Sequence, residues 1–245
     1  MSPIPKETYA LPFSLTDETN ALGVRQTCMV MQDAMSLLFY ENGCDGITMA
    51  RESESLWIMT HSAYRFYRRP CWMEKITVRC YPSRVAACGV YLVLEIRDEA
   101  GELLVAGRTD MTLIEMEKRR LRRLAGTVFP RDIETEPSVY PGGYTLWQPL
   151  SPEDACNFTA CVTADDTDMN RHANNIAYVH WLVGAAGVAP EGYWKGFEVI
   201  YVKECYLGQK LTARRRETED SVCVELLQAG EPVCRGIFLK KAEMP

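Results

Sequence analysis

The sequence predicts an α+β fold built twice, each copy an antiparallel sheet wrapped around a single helix. Three observations predict it. The segment "AYRFYRRPCWMEKITVRC" (63–80) aligns with "EVIYVKECYLGQKLTARR" (198–215) at an offset of 135, so that Phe66 faces Tyr201, Arg68 faces Lys203, Lys75 faces Lys210 and Thr77 faces Thr212. Further on, "YLVLEIRDEAGELLVAGR" (91–108) matches "VCVELLQAGEPVCRG" (222–236), with the turn Ala100-Gly101-Glu102 opposite Ala229-Gly230-Glu231. Each copy also carries one helix-like segment upstream of its strands. Two units are too few for a solenoid, so each must close its own core or share one.

The elements follow in order. The first helix is expected over roughly Thr27 to Glu41, where Met31, Met35, Leu38 and Phe39 recur at helical spacing and Asn42-Gly43 provides a stop. The strands after it are β-branched and aromatic, partly alternating, and bounded by Gly, Pro and Asp, which is the pattern of hairpins. "FPRDIETEPSVYPGGYTLWQPLSPED" is rich in Pro, Gly and acid and reads as a linker. The division is therefore an N-terminal domain over 1–129, a linker over 130–152 and a C-terminal domain over 153–245. In the second copy "FTACVTA" reads as a strand, and a helix runs from roughly Asn175 to Val183, ending near Gly184 and Gly187. Ile176, Ala177, Tyr178, Val179, Trp181, Leu182 and Val183 make that helix apolar nearly all round, so it should be buried.

Composition excludes several classes. Apolar residues at 47% and charged residues at 24% are ordinary for a globular chain, and the length of 245 residues is enough for two modest cores. A net charge of −6 argues against nucleic-acid binding, so an acidic partner would have to meet a local basic patch. Ten cysteines without a C-x-x-C pair, and only three histidines, give little material for a metal or cofactor site. The first residues lack an apolar secretory core, and no run reaches the length of a membrane span. Free thiols in a reducing cytoplasm fit this usage best.

The chemistry concentrates in "TADDTDMNRHANNIAYVHW" (163–181). Asp168, Asn170 and His172 stand at alternate positions, and on extended or turning backbone such residues point the same way. Asn174 or Asn175 then serves as an N-cap for the buried helix. The end of that helix brings unpaired N–H groups and partial positive charge into a dry place, suited to a carbonyl oxygen becoming an oxyanion. An amide at Asn170 can add a donor, while Asp168 and His172 can orient each other or move protons. The plainer alternative is a set of loop polars capping a helix. In "YVKECYLG" (201–208), read as a strand, Glu204 stands beside Cys205 where the first copy has Arg69-Pro70. A glutamate partly withdrawn from water is expected to have a raised pKa and to act as a base. Cys205 is a nucleophile if His172 deprotonates it, and otherwise a small buried hydrophobe.

These residues carry a family resemblance. "DTDMNRHANNIAYVHWL" and "YVKEC" resemble the D-x-N-x-H-x-N-N-x-x-Y stretch and the Glu-Cys strand of the acyl-ACP thioesterases of plants and bacteria, which hold two hotdog domains in one chain. "LWIMTHSAYRFYRRPCWMEKITVRCYP" and "DMTLIEMEKRRLRRL" resemble first-domain segments of the same family, so the likeness spans nearly the whole chain. The resemblance implies a pseudo-dimer of tandem hotdog domains, with the acyl chain held in the first and catalysis in the second. It implies hydrolysis of acyl-acyl carrier protein (ACP) to free fatty acid, ending chain elongation, with Asp168, Asn170, His172 and Glu204 as catalytic residues and Cys205 beside them. Water activated by Glu204 is the preferred route and a thioester through Cys205 the second. The sequence departs from the family at Ala173, where valine is common, and at Val202 and His61, where arginine is more usual. A hotdog acyl-CoA thioesterase, a non-catalytic acyl-thioester sensor and a dehydratase of the same fold are the alternatives. The sensor would need an output module that the sequence does not offer.

Partner and pocket follow. "EKRRLRRL" (117–124) packs Lys118, Arg119, Arg120, Arg122 and Arg123 around one leucine, a basic patch for acidic ACP or simply a solvated run. Arg214-Arg215-Arg216 is a weaker candidate. Met29, Met31, Met35, Phe39, Trp57 and Met59 are expected to line an acyl tunnel or to be plain core. Pairing into a homodimer stays open.

Overall fold

The structure, a computed structural model, describes residues 4–187 and 194–241. The first half contributes β1 (Lys6–Ala10), α1 (Val24–Glu41), α2 (Gly46–Ser53), β2 (Ser55–Phe66), β3 (Lys75–Ala86), β4 (Gly89–Asp98) and β5 (Leu103–Glu115). The second contributes β6 (Ala155–Cys161), α3 (Asn175–Ala186), β7 (Trp194–Tyr201), β8 (Lys210–Glu217), β9 (Ser221–Gln228) and β10 (Glu231–Lys240). The ten strands of the described residues join one antiparallel sheet in the order β1-β3-β4-β5-β2-β7-β10-β9-β8-β6. Counted outward from the central β2–β7 pair, the two halves run in the same order, so the repeat seen in the sequence is a two-fold relation in space.

The helices lie together on one face of this sheet. Val24, Thr27, Cys28, Val30, Met31, Ala34, Met35, Leu38 and Phe39 form the buried stripe of α1. They share one apolar core with α3 and with inward strand residues such as Tyr64, Phe197 and Phe238. α1 starts three residues before the expected Thr27. Its N-cap is Gly23, which offers no side-chain signal, and the Thr27 hydroxyl is spent inside the helix on the Gly23 carbonyl (2.8 Å). α3 runs past the expected Val183, and Gly184 inside it sits against Phe158, where a Cβ would stand 3.2 Å from the ring. It stops at Gly187, whose φ of 62° is left-handed. α2, which no sequence signal marked, is a short helix capped by Asp45, whose carboxylate accepts the Ile47 and Thr48 N–H groups at 3.0 and 3.1 Å.

At the seam, Ala63 pairs with Glu198 and Tyr64 with Phe197. Gly196 is required there, since a Cβ would stand 2.7 Å from the Tyr64 carbonyl oxygen. The expected linker crosses the sheet face turned away from the helices. Tyr140 packs on Ala63 and Ala106, and Tyr144 stacks on His61 at 3.4 Å between ring centroids. The Tyr144 hydroxyl donates to Asp110 (2.7 Å), while Thr145 donates from its N–H (2.9 Å) and hydroxyl (2.7 Å) to the fully buried carboxylate of Glu198. Arg65 completes the Glu198 set at 2.9 Å.

The loops ahead of α1 and α3 repeat each other closely. Each has a short 3-10 turn (Phe13–Leu15, Ala164–Asp166), then a one-pair bridge (Thr16 to Leu22, Thr167 to Ala173). Each places one non-glycine residue in left-handed backbone, Asn20 at φ 61° and Arg171 at φ 64°. Each is tied to its facing turn in the same way, through Leu22 N–H to Pro70 O (2.8 Å) and Ala173 N–H to Cys205 O (2.7 Å).

Candidate active site

Residues 168–172 were expected on extended or turning backbone, with Asp168, Asn170 and His172 aimed in one direction. They take the turning form, a tight loop closed by the Thr167–Ala173 bridge. The Asp168 carboxylate accepts the Asn170 N–H at 2.8 Å, an Asx turn that competes with extension. Arg171 N–H then bonds Asp168 O (2.9 Å), and Asp168 N–H bonds His172 O (3.2 Å). The second Asp168 oxygen accepts from Asn174 Nδ2 (3.2 Å), and Asn174 caps α3 by accepting the Ile176 N–H (2.9 Å). Asp168 therefore ties the loop to the helix cap, and its carboxylate is not hydrogen-bonded to the imidazole.

His172, half-buried, faces the second segment. Glu204 and Cys205 were read as part of a strand, but β7 ends at Tyr201 and both lie on the irregular turn before β8. Helix α3 holds that turn through one hydroxyl. Tyr178 donates to Lys203 O (3.1 Å) and accepts the Cys205 N–H (2.7 Å), bracketing Glu204 on both sides. Glu204 Oε1 stands 3.9 Å from His172 Nε2, and Glu204 Oε2 accepts from the Tyr206 hydroxyl at 2.9 Å. His172 Nδ1 lies 3.2 Å from Ala173 O. Arg119, on the turn after β5 in the first half, reaches across and pairs with Glu204 Oε1.

That pairing overturns a charge expectation. Burial of the Glu204 carboxylate works to raise its pKa, as the sequence reading supposed. Hydrogen bonds from Arg119 and Tyr206, with the charges of Arg119 and His172, outweigh it and hold the carboxyl below the usual glutamate range. Cys205 is fully buried. Burial pushes its thiol pKa up, against a hydrogen bond with Tyr178, and no hydrogen bond joins the thiol to His172. The thiolate form that a nucleophile needs is therefore disfavoured here.

The basic run is divided rather than one patch. Arg119 turns to Glu204, while Lys118 (3.3 Å) and Arg120 (2.7 Å) fold onto Glu115. Arg123 is exposed and Arg122 half-exposed. Beside Asn170, which is exposed, α2 and the 168–172 loop enclose a groove of about 420 Å³ lined by Ile47, Leu56, Met116 and Met169, with Arg51 at its side. The residues expected to line an acyl tunnel or to be plain core do not line this groove. Met31, Met35, Phe39 and Met59 are buried core, and Trp57 stacks on Phe39 at 5.0 Å. Among the described residues no group of His, Cys, Asp and Glu is placed to hold a metal ion, and no helix is long and apolar enough to cross a membrane.

Two family models match, the acyl-ACP thioesterase N-terminal domain over residues 4–130 and the acyl-ACP thioesterase C-terminal domain over 153–236. The chain belongs to the acyl-ACP thioesterase family. Solved acyl-ACP thioesterases share its fold. One from Bacteroides thetaiotaomicron superposes with a TM-score of 0.86 at 20% identity, covering 97% of this chain and 98% of that one. A 12:0-ACP thioesterase from Umbellularia californica gives 0.82 at 18% identity, with 97% of each chain covered. The duplicated sheet is thus the tandem hotdog fold that the sequence implied. Among plant relatives, a chloroplastic dodecanoyl-[acyl-carrier-protein] hydrolase from Cinnamomum camphora is 24% identical over 75% of this chain. A palmitoyl-acyl carrier protein thioesterase from Arabidopsis thaliana is 24% identical over 61%. The chain spans 52% and 38% of the length of these two relatives.

In this acyl-ACP thioesterase family member the first hotdog half shows what the second has gained. Asp17 occupies the place of Asp168, Ala21 that of His172 and Arg69 that of Glu204. Arg69 pairs with Asp17 and donates to Thr19 Oγ1 (2.8 Å), so an ion pair fills the position where the second half sets a carboxylate against an imidazole. Sequence reasoning missed Tyr178 and Tyr206 as parts of the site and placed Arg119 in a docking patch. Tyr178 has a findable signal, since a lone hydroxyl on a helix apolar all round needs a buried partner. Arg119 has none, because its partner lies 85 residues away in the other half.

Proposed function

We propose that the chain hydrolyses the thioester of acyl-ACP to free fatty acid and ACP, ending chain elongation in fatty acid biosynthesis. The observation that carries the reading is the pair formed by Glu204 and His172, held 3.9 Å apart by two separate anchored turns. In the neutral tautomer that donates from Nδ1 to the Ala173 carbonyl, His172 Nε2 is a bare acceptor facing an ionised carboxylate. Two acceptors at that separation suit one water that donates to both. Glu204 takes the proton as this water attacks the thioester carbonyl. The carbon–sulfur bond then breaks, and the proton passes through His172 to the departing thiolate, leaving a carboxylic acid and the ACP thiol.

Asn170, at the groove, is the amide that orients the carbonyl, joined by the N–H of Asn175 at the start of α3. The Ile176 and Ala177 amides are already engaged with Asn174. Asp168 acts by holding the loop and cap, and Cys205 by packing. The groove beside Asn170 takes the apolar part of the thioester, and Arg122 and Arg123, with Lys118 and Arg120, attract acidic ACP. Both halves lie in one chain, so the site needs no homodimer. All ten cysteines are free thiols, in keeping with a reducing cytoplasmic setting.

The test is release of free acid from acyl-ACPs of several chain lengths, read by mass spectrometry. Neutralising Lys118, Arg120, Arg122 and Arg123 together lowers kcat/KM for acyl-ACP more than for a small acyl thioester. Tight binding with no free acid would identify a sensor instead, and equal loss on both substrates would remove the docking role.

A further inference from the structure

We propose that Arg119 is a positioning residue of the reaction: from the first half, it fixes the Glu204 carboxylate of the second half against His172. The inference rests on the reading of Glu204 as the base. Three observations converge on it. The contact is direct, from Arg119 Nη2 to Glu204 Oε1, which is the same oxygen that faces His172. The backbone is shaped for it. Arg119 N–H closes a turn onto Glu115 O (2.9 Å), and Arg119 adopts left-handed backbone at φ 52°, a conformation that non-glycine residues rarely take without compensation. Its neighbours Lys118 and Arg120 both turn back to Glu115, and at the left-handed residue between them one of the three cationic side chains, Arg119, reaches across the seam.

The two-fold relation supplies the third observation. In the first half the turn residue is itself cationic, Arg69, and finds its carboxylate within its own loop at Asp17. In the second half the turn residue is the carboxylate and the matching loop sets an imidazole toward it, while that loop's own guanidinium, on exposed Arg171, makes no ion pair with Glu204 among the described residues. The cation comes from the other half. A site assembled this way is complete only when both hotdog halves are docked, which gives the duplication a catalytic consequence beyond shared burial.

Glu204 is faced by three groups: Arg119 from the turn after β5, His172 from the loop before α3, and Tyr206 from its own turn. Removing the guanidinium leaves burial opposed by Tyr206 and His172 alone, so the carboxyl titrates at higher pH. Arg119 is about half exposed, so solvent screens the pair and the shift is smaller than a buried pair would give.

The experiment follows the Glu204 carboxyl by ¹³C NMR in the full chain labelled at glutamate Cδ, with the signal assigned through Glu204→Gln. In Arg119→Gln the titration midpoint moves to higher pH, and in Arg119→Lys it returns toward the wild type. An unmoved midpoint in Arg119→Gln overturns the inference. The same variants are assayed on a small acyl thioester, which needs no carrier docking. The acid limb of kcat/KM follows the midpoint upward in Arg119→Gln, with KM little changed. A midpoint that moves while the acid limb stays fixed would keep the Arg119–Glu204 pairing but remove Glu204 as the base.

Discussion

Glu204 and Cys205 are neighbours in sequence with opposite environments. Glu204 is a quarter exposed and surrounded by donors, and its carboxylate is stabilised as the anion. Cys205 is fully buried, and its thiol is stabilised as the neutral form. An ionised carboxylate and a neutral thiol thus stand one position apart; burial works to raise both pKa values, and the donors around Glu204 are what separate them. The same logic separates Asp168 from His172. Asp168 spends both carboxylate oxygens on the loop and the Asn174 cap, while His172 keeps Nε2 turned to Glu204. Of the five side chains singled out in the sequence, the structure brings His172 and Glu204 together. It leaves Asn170 at the groove, and Asp168 and Cys205 in supporting places.

At the scale of elements, α3 couples the two walls of the site. Its cap fixes the loop that bears His172, and Tyr178, one turn in, fixes the turn that bears Glu204. Tyr178→Phe removes that second coupling and leaves the buried Cys205 N–H without its partner, at a cost of about 1–3 kcal/mol in stability. We expect kcat on a small thioester to fall about tenfold or more through misplacement of Glu204, with KM changed less. Steady-state kinetics beside a urea melt check this; unchanged kcat in a destabilised protein would show that the turn holds its shape without the hydroxyl. Elements of this kind were readable in the sequence to different depths. α1 was visible because its apolar residues recur at helical spacing, α3 because an Asn cap and a glycine stop bound a run that is apolar nearly all round, and the strands because of their β-branched, aromatic pattern and the repeat. α2 was not, since at eight residues it makes little more than two turns, too few for a helical period to stand out. The sequence left the 168–172 backbone open between extended and turning, because alternation in sequence means alternation in space only when no side chain captures the backbone. Here Asp168 does.

At the scale of the molecule, the β2–β7 seam joins the two hotdog halves, and Glu198 is the charge at its centre. Burial opposes its ionisation, but His61, Thr145 and Arg65 hold its pKa down to about 2, against 4.5 for an ordinary glutamate. His61 Nε2, at 3.6 Å, is too far for a hydrogen bond and acts as a charge only when protonated. A folded-state pKa below the unfolded value means stability that is present above about pH 4.5 and lost as pH falls toward about 2. Glu198→Gln should therefore destabilise the chain at pH 7, by on the order of 3 kcal/mol, and much less at pH 3. Urea melts at the two pH values measure it, and an equal deficit at both would mean that packing rather than charge is at stake. The linker contributes to the same centre through Thr145, so the segment between the domains is part of the seam.

The central claim is that water activated between Glu204 and His172, and no thioester on Cys205, carries the reaction. The measurement that tests it most directly is kcat/KM on one small acyl thioester for Glu204→Gln and Cys205→Ala side by side. We expect a loss of about a hundredfold or more in Glu204→Gln, the range for removing a general base, and near wild-type activity in Cys205→Ala. Abolished activity in a folded Cys205→Ala, with Glu204→Gln still active, would contradict it.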